Sequence, residues 1–80
     1  MKRDSNYVGA AIARLRVEQN MTQEEVALEF EKRGIDISRQ VVANIECGRR
    51  SASDKQVYHF AILYGVSVES LYTRSPKRGN

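Results

Sequence analysis

Apolar residues recur along this chain at intervals of three and four rather than at alternate positions, the spacing of helices buried along one face. Val8, Ala11, Ile12 and Leu15 define the first such face and predict a helix over 7–19. Polar punctuation marks four further starts. Thr22 with Glu25 three residues on makes a capping box, in which each side chain satisfies a backbone donor that the helix leaves orphaned. Met21 and Val26 flank it at the positions of a hydrophobic staple. Ser38 repeats the device between Ile37 and Val42, Ser53 with Gln56 forms a second box, and Ser67 stands between Val66 and Leu71. Gly34, Gly48 and Gly65 fall where a left-handed residue would end a helix. The predicted helices are 7–19, 22–33, 38–47, 53–64 and 67–73, and no convincing strand period competes with them. Their inward positions give a candidate core of Val8, Ile12, Leu15, Val26, Ala27, Phe30, Val42, Ile45, Val57, Phe60, Ala61, Leu63 and Leu71.

Eighty residues suffice for one small domain, here expected over 1–73, with a basic tail over 74–80 around the single proline, Pro76. No apolar run approaches the roughly 20 residues of a membrane helix, and the charged start Met1-Lys2-Arg3-Asp4 does not read as a secretory signal. A lone cysteine, Cys47, offers neither an intrachain disulfide nor a structural metal site, so a cytoplasmic protein is expected. The net charge of +3 hides an asymmetry: residues 1–37 carry −1, whereas residues 38–80 carry +4. A polyanion partner for the second half would explain it, as would a solvated basic face.

Catalysis finds little support. His59, the only histidine, lies inside a predicted helix between Tyr58 and Phe60, where packing is its ordinary role. Cys47 sits beside Arg49 and Arg50, which favour a thiolate, yet it has no evident base. Glu24, Glu25, Glu29 and Glu31 read as a solvated helix face. No phosphate-cradling glycine loop or metal-ligand spacing appears, so neither cofactor, metal nor small-molecule ligand is expected.

Binding is better supported, and by one short segment. In the third predicted helix Val42 and Ile45 face inward, leaving Arg39, Gln40, Val41, Ala43 and Asn44 outward. Arginine matches the guanine edge in the major groove of DNA. Glutamine and asparagine match adenine, so Gln40 and Asn44 are each expected to prefer it. Small Ala43 permits close approach, and Val41 can meet a thymine methyl. Gly48-Arg49-Arg50-Ser51 follows at once, with two cations suited to phosphate.

Ile12-Ala13-Arg14-Leu15-Arg16, Met21-Thr22-Gln23-Glu24-Glu25-Val26-Ala27, Ile37 through Glu46, Gly48-Arg49-Arg50 and Gly65-Val66-Ser67-Val68-Glu69-Ser70-Leu71 together resemble the Cro/phage-repressor-type helix-turn-helix family over residues 7–73. The resemblance implies an all-α, five-helix lambda-repressor-like DNA-binding domain whose third helix enters the major groove of double-stranded DNA. By position, Arg39, Gln40 and Asn44 would read bases, with Val41 and Ala43 on the same face. Gln23, Ser38, Arg49 and Arg50 would hold phosphates, and Glu46 would link the third helix to its neighbours. The chain departs from the family in three places. The connection between helices 2 and 3 is longer than the usual turn of three or four residues. Cys47 replaces a frequent asparagine, removing a phosphate contact. Ser51-Ala52-Ser53 stands where a proline is common.

The expectation is therefore a sequence-specific transcriptional regulator, a small repressor. A homodimer is expected, formed in solution or only on DNA, because one helix reads too few base pairs for genomic specificity. Val68, Tyr72 and Tyr64 are its candidate contacts. The alternative is an antitoxin-like or regulator-sequestering module that binds protein on the same fold; an acidic or apolar third helix would favour it, and Arg39, Gln40 and Asn44 do not.

Overall fold

The four predicted caps form at Thr22, Ser38, Ser53 and Ser67 in the computed structural model, which describes residues 5–72. Among these residues the chain makes five helices: α1 (Ser5–Glu18), α2 (Gln23–Lys32), α3 (Arg39–Glu46), α4 (Asp54–Tyr64) and α5 (Val68–Tyr72). The expected tail over 74–80 lies outside the described residues, as does Thr73. Thr22 and Ser53 close full capping boxes: Glu25 and Gln56 each donate a backbone N–H to the cap hydroxyl and accept the cap N–H in return. Ser38 Oγ accepts from Val41 N at 3.2 Å, and Ser67 Oγ accepts from Ser70 N at the same distance.

The first four helices end in the same way. A left-handed residue follows each, and a pair of backbone bonds, one reaching five residues back and one three, closes the turn. Gly34, Gly48 and Gly65 fill three of those places, with φ of 78°, 84° and 72°. The fourth, after α1, is Asn20 with φ 59°, a stop not legible in the sequence as a break. The next residue is Met21, Ile35 and Val66 after α1, α2 and α4, and each folds onto the core as an apolar latch. After α3 it is Arg49, which is exposed.

The core gathers around Phe30 of α2 and Phe60 of α4, whose ring centroids lie 4.7 Å apart. Both are fully buried, together with Ile12, Val26, Val42 and Leu71. Of the predicted core, Leu15, Ala27 and Leu63 are only partly buried, though packed against it. Ala11 and Ile37 join the core proper. So does Tyr64, which corrects its expected place on a dimer surface: it is 4% exposed, with its ring stacked on Phe60. Val68 stays exposed and Tyr72 half-buried. α1 packs against α3, α4 and α5, and α2 packs against α3. The α1–α3 contact is close because of Gly9. A Cβ there would press into the Ile45 carbonyl oxygen and lie 3.2 Å from that of Glu46.

Candidate nucleic-acid interface

α3 is short, amphipathic and held at both ends. Val42 and Ile45 bury its inner side completely. Ser38 satisfies its first turn, and the six residues 33–38 that lead into it make the longer connection that the sequence indicates. The outer side carries Arg39 and Gln40, both exposed, and Val41, Ala43 and Asn44, all partly exposed. Val41 is also packed against the core, so only part of its side chain remains for a partner. The five predicted base-reading residues therefore share one helix, four of them on its outward side and Val41 at the edge of the core.

The C-terminal end of α3 is fixed by an ionic clamp. Arg16 of α1 donates from Nε to Glu46 Oε2 at 2.7 Å and from Nη2 to Glu46 Oε1 at 3.1 Å. Gln23 of α2 donates from Nε2 to the same Oε1 at 3.0 Å, and Arg16 Nη1 reaches the Met21 carbonyl at 2.8 Å. Glu46 thus ties three helices together, the linking role its position implies. A forked guanidinium on a carboxylate is the strong form of ion pair, and the glutamate side chain is only 6% exposed. That hydrogen bonding holds the Arg16 guanidinium above the ordinary arginine range, against the desolvation that opposes it. Burial, and after it the charge of the same Glu46, raises the Tyr64 phenol far above its ordinary range; its hydroxyl is buried without a hydrogen-bond partner among the described residues.

Gln23 is the predicted phosphate residue most engaged by the protein, since its amide nitrogen is committed to Glu46. Its position still matters: Gln23, Thr22 and Arg39 border one surface groove, so the starts of α2 and α3 face the same space. Ser38, at the head of α3, is exposed, with its oxygen accepting from Val41.

Arg49 and Arg50 emerge directly from the end of α3. Their backbone N–H groups both donate to the Asn44 carbonyl, at 2.9 and 3.2 Å. The loop is therefore folded onto Asn44, whose side chain lies on the outer side of α3. Both guanidinium groups are exposed, and neither has a side-chain partner among the described residues. Two exposed cations on a loop anchored to the end of α3 suit a phosphate contact. The two arginines already single out this loop in the sequence, and the helix exits add a second signal for it. Three of the four helix exits carry an apolar latch, and only this one carries an arginine.

His59 packs edge-on to Phe30 and Tyr58, with ring centroids at 6.3 and 5.3 Å, and its Nδ1 is buried without a hydrogen-bond partner among the described residues. Cys47 is exposed and donates weakly to the Asn44 carbonyl, Sγ to O being 3.6 Å. Among the described residues no three His, Cys, Asp or Glu side chains converge to hold a metal, and no helix is long and apolar enough to cross a membrane.

Comparison with known proteins agrees with this geometry. A family described as helix-turn-helix matches residues 12–71. Among solved structures, the chain is similar to the DNA-binding domain of S. venezulae BldD, with a TM-score of 0.69 and 26% identity over 86% of this chain and 96% of that one. No curated protein matches it.

Proposed function

Because the chain belongs to the helix-turn-helix family, we propose that it is a sequence-specific DNA-binding transcription regulator, acting as a small repressor. The DNA-binding activity named for its structural neighbour supports the first part of that reading. α3 enters the major groove, where Arg39, Gln40 and Asn44 address base edges while Val41 and Ala43 make the apolar and close-approach contacts. Gln23, Ser38, Arg49 and Arg50 position the domain on the phosphates. A cytoplasmic location goes with such a role.

One observation carries the proposal: Asn44 joins the two kinds of contact, its side chain on the outer face of α3 and its carbonyl holding the Arg49-Arg50 loop. Docking the helix therefore places the loop as well. A homodimer on a two-fold operator completes the reading, with half-sites about 34 Å apart. Val68 and Tyr72 are the candidate contacts, Tyr64 being buried. Repression then follows by occluding a promoter.

Selection from pooled random duplex DNA tests this. The chain should enrich one pseudo-palindromic sequence, and a promoter carrying that sequence should be silenced by it in a reporter assay. Failure to enrich any sequence, despite binding DNA, would reject specific recognition.

A further inference from the structure

Gln40 and Asn44 stand one turn apart on the outer side of α3, and they are joined. Gln40 Nε2 donates to Asn44 Oδ1 at 3.3 Å. An amide side chain that is free to turn offers either its oxygen or its nitrogen to a base, and an unconstrained asparagine matches adenine with both. Asn44 is not free. Its backbone is held by the flanking Val42 and Ile45, both buried, and by the two N–H groups of the Arg49-Arg50 loop on its carbonyl. Its Oδ1 is turned back along the helix toward Gln40, so Nδ2, with both hydrogens, is its free end. Gln40 gives one of its two Nε2 hydrogens to this bond. It keeps Oε1 and the other hydrogen, the acceptor and donor that adenine N6 and N7 require.

We propose that Gln40 and Asn44 form a single specificity-determining unit, in which Gln40 selects adenine and Asn44, its oxygen held by Gln40, selects guanine, whose O6 and N7 both accept, at the adjoining base pair. This rests on the proposed entry of α3 into the major groove. It replaces the sequence expectation that both residues prefer adenine. It also makes the two base positions interdependent, because the orientation of Asn44 is set by its neighbour rather than by the DNA alone.

The test is operator selection with the full chain and with two single variants, followed by affinities on the selected duplexes. Asn44→Ala identifies the base pair that Asn44 addresses, as the position at which preference relaxes. The wild type should favour a G·C over an A·T pair there by about tenfold. Gln40→Ala should relax its own position and, in addition, shift the Asn44 position toward an A·T pair, because the freed amide can then turn to match adenine. Neither residue is buried, and circular dichroism verifies that each variant stays folded. An A·T preference at the Asn44 position in the wild type would overturn the proposal, as would a preference there that Gln40→Ala leaves unchanged. If Asn44→Ala relaxes no position at all, the placement of Asn44 in the groove fails, and the unit fails with it.

Discussion

Replacing Gly9 with alanine reverses the usual sign of a helix substitution. In an exposed helix interior, glycine to alanine gains about 0.5–1 kcal/mol, because glycine loses more backbone freedom on folding. Gly9 lies within α1 but is buried against α3, where the added Cβ would press into the Ile45 carbonyl oxygen and reach 3.2 Å from that of Glu46. Neither neighbour can swing aside, since both oxygens belong to the backbone of the last turn of α3. Forcing one extra carbon into such a contact costs about 1–3 kcal/mol. Less the helix gain, this leaves a net destabilisation of up to about 2.5 kcal/mol. For a domain of this size that corresponds to a fall in Tm of up to roughly 20 °C. Urea titration followed by circular dichroism measures it, with Ala10→Gly, at the exposed neighbouring position, as the propensity control. If Gly9→Ala raises stability by the propensity gain, α1 is not seated on α3 as described.

Three further outcomes follow from the clamp and the loop. Glu46→Ala leaves the Arg16 guanidinium without its carboxylate and should cost about 3 kcal/mol, with amide exchange rising where α1, α2 and α3 meet; an unchanged urea midpoint would contradict the clamp. Arg49→Ala and Arg50→Ala should each weaken binding to all DNA sequences and flatten the slope of log K against log salt by about one unit; an unchanged slope would remove that arginine from the phosphate contacts. Burial raises the folded-state pKa of Tyr64 above its unfolded value near 10. The stabilising contribution of its neutral form is therefore full below pH 10 and lost as pH rises further, at no more than about 1.4 kcal/mol per pH unit. Tyr64→Phe should keep stability at neutral pH, since the lost hydroxyl has no hydrogen-bond partner among the described residues, and should flatten the alkaline decline; the same decline in the variant would assign it to another group.

Local chemistry is what the sequence made legible. Caps at Thr22, Ser38, Ser53 and Ser67, and stops at Gly34, Gly48 and Gly65, are decided within four or five residues, so helix positions could be read without the fold. The outward face of α3 was legible for the same reason: Val42 and Ile45 determine which side is buried. What escaped depends on residues distant in the chain. The family resemblance implies the linking role of Glu46, but its partners Arg16 and Gln23, up to 30 positions away, are not legible in the spacing. Tyr64 reads as an amphipathic residue at a helix end until Phe60 and the α1 side of the fold close over it. Gly9 reads as a weak helix residue until the α3 carbonyls appear beside it. Asn20 is the second choice, after glycine, for a left-handed stop, and only the backbone bonds that follow α1 reveal that role.

Base reading by α3 is most directly tested at Arg39. It is exposed in the first turn after the Ser38 cap, the part of a recognition helix that reaches base edges. A guanidinium there can donate to guanine O6 and N7 together, a contact worth about 1–3 kcal/mol. The measurement compares the affinity of the wild type and of Arg39→Ala for the selected operator and for random duplex DNA at one salt concentration. The expected result is a loss of about ten- to hundredfold on the operator, relaxed preference at one base pair and little change on random DNA. Equal losses on both would make Arg39 a phosphate contact and contradict base reading by the start of α3.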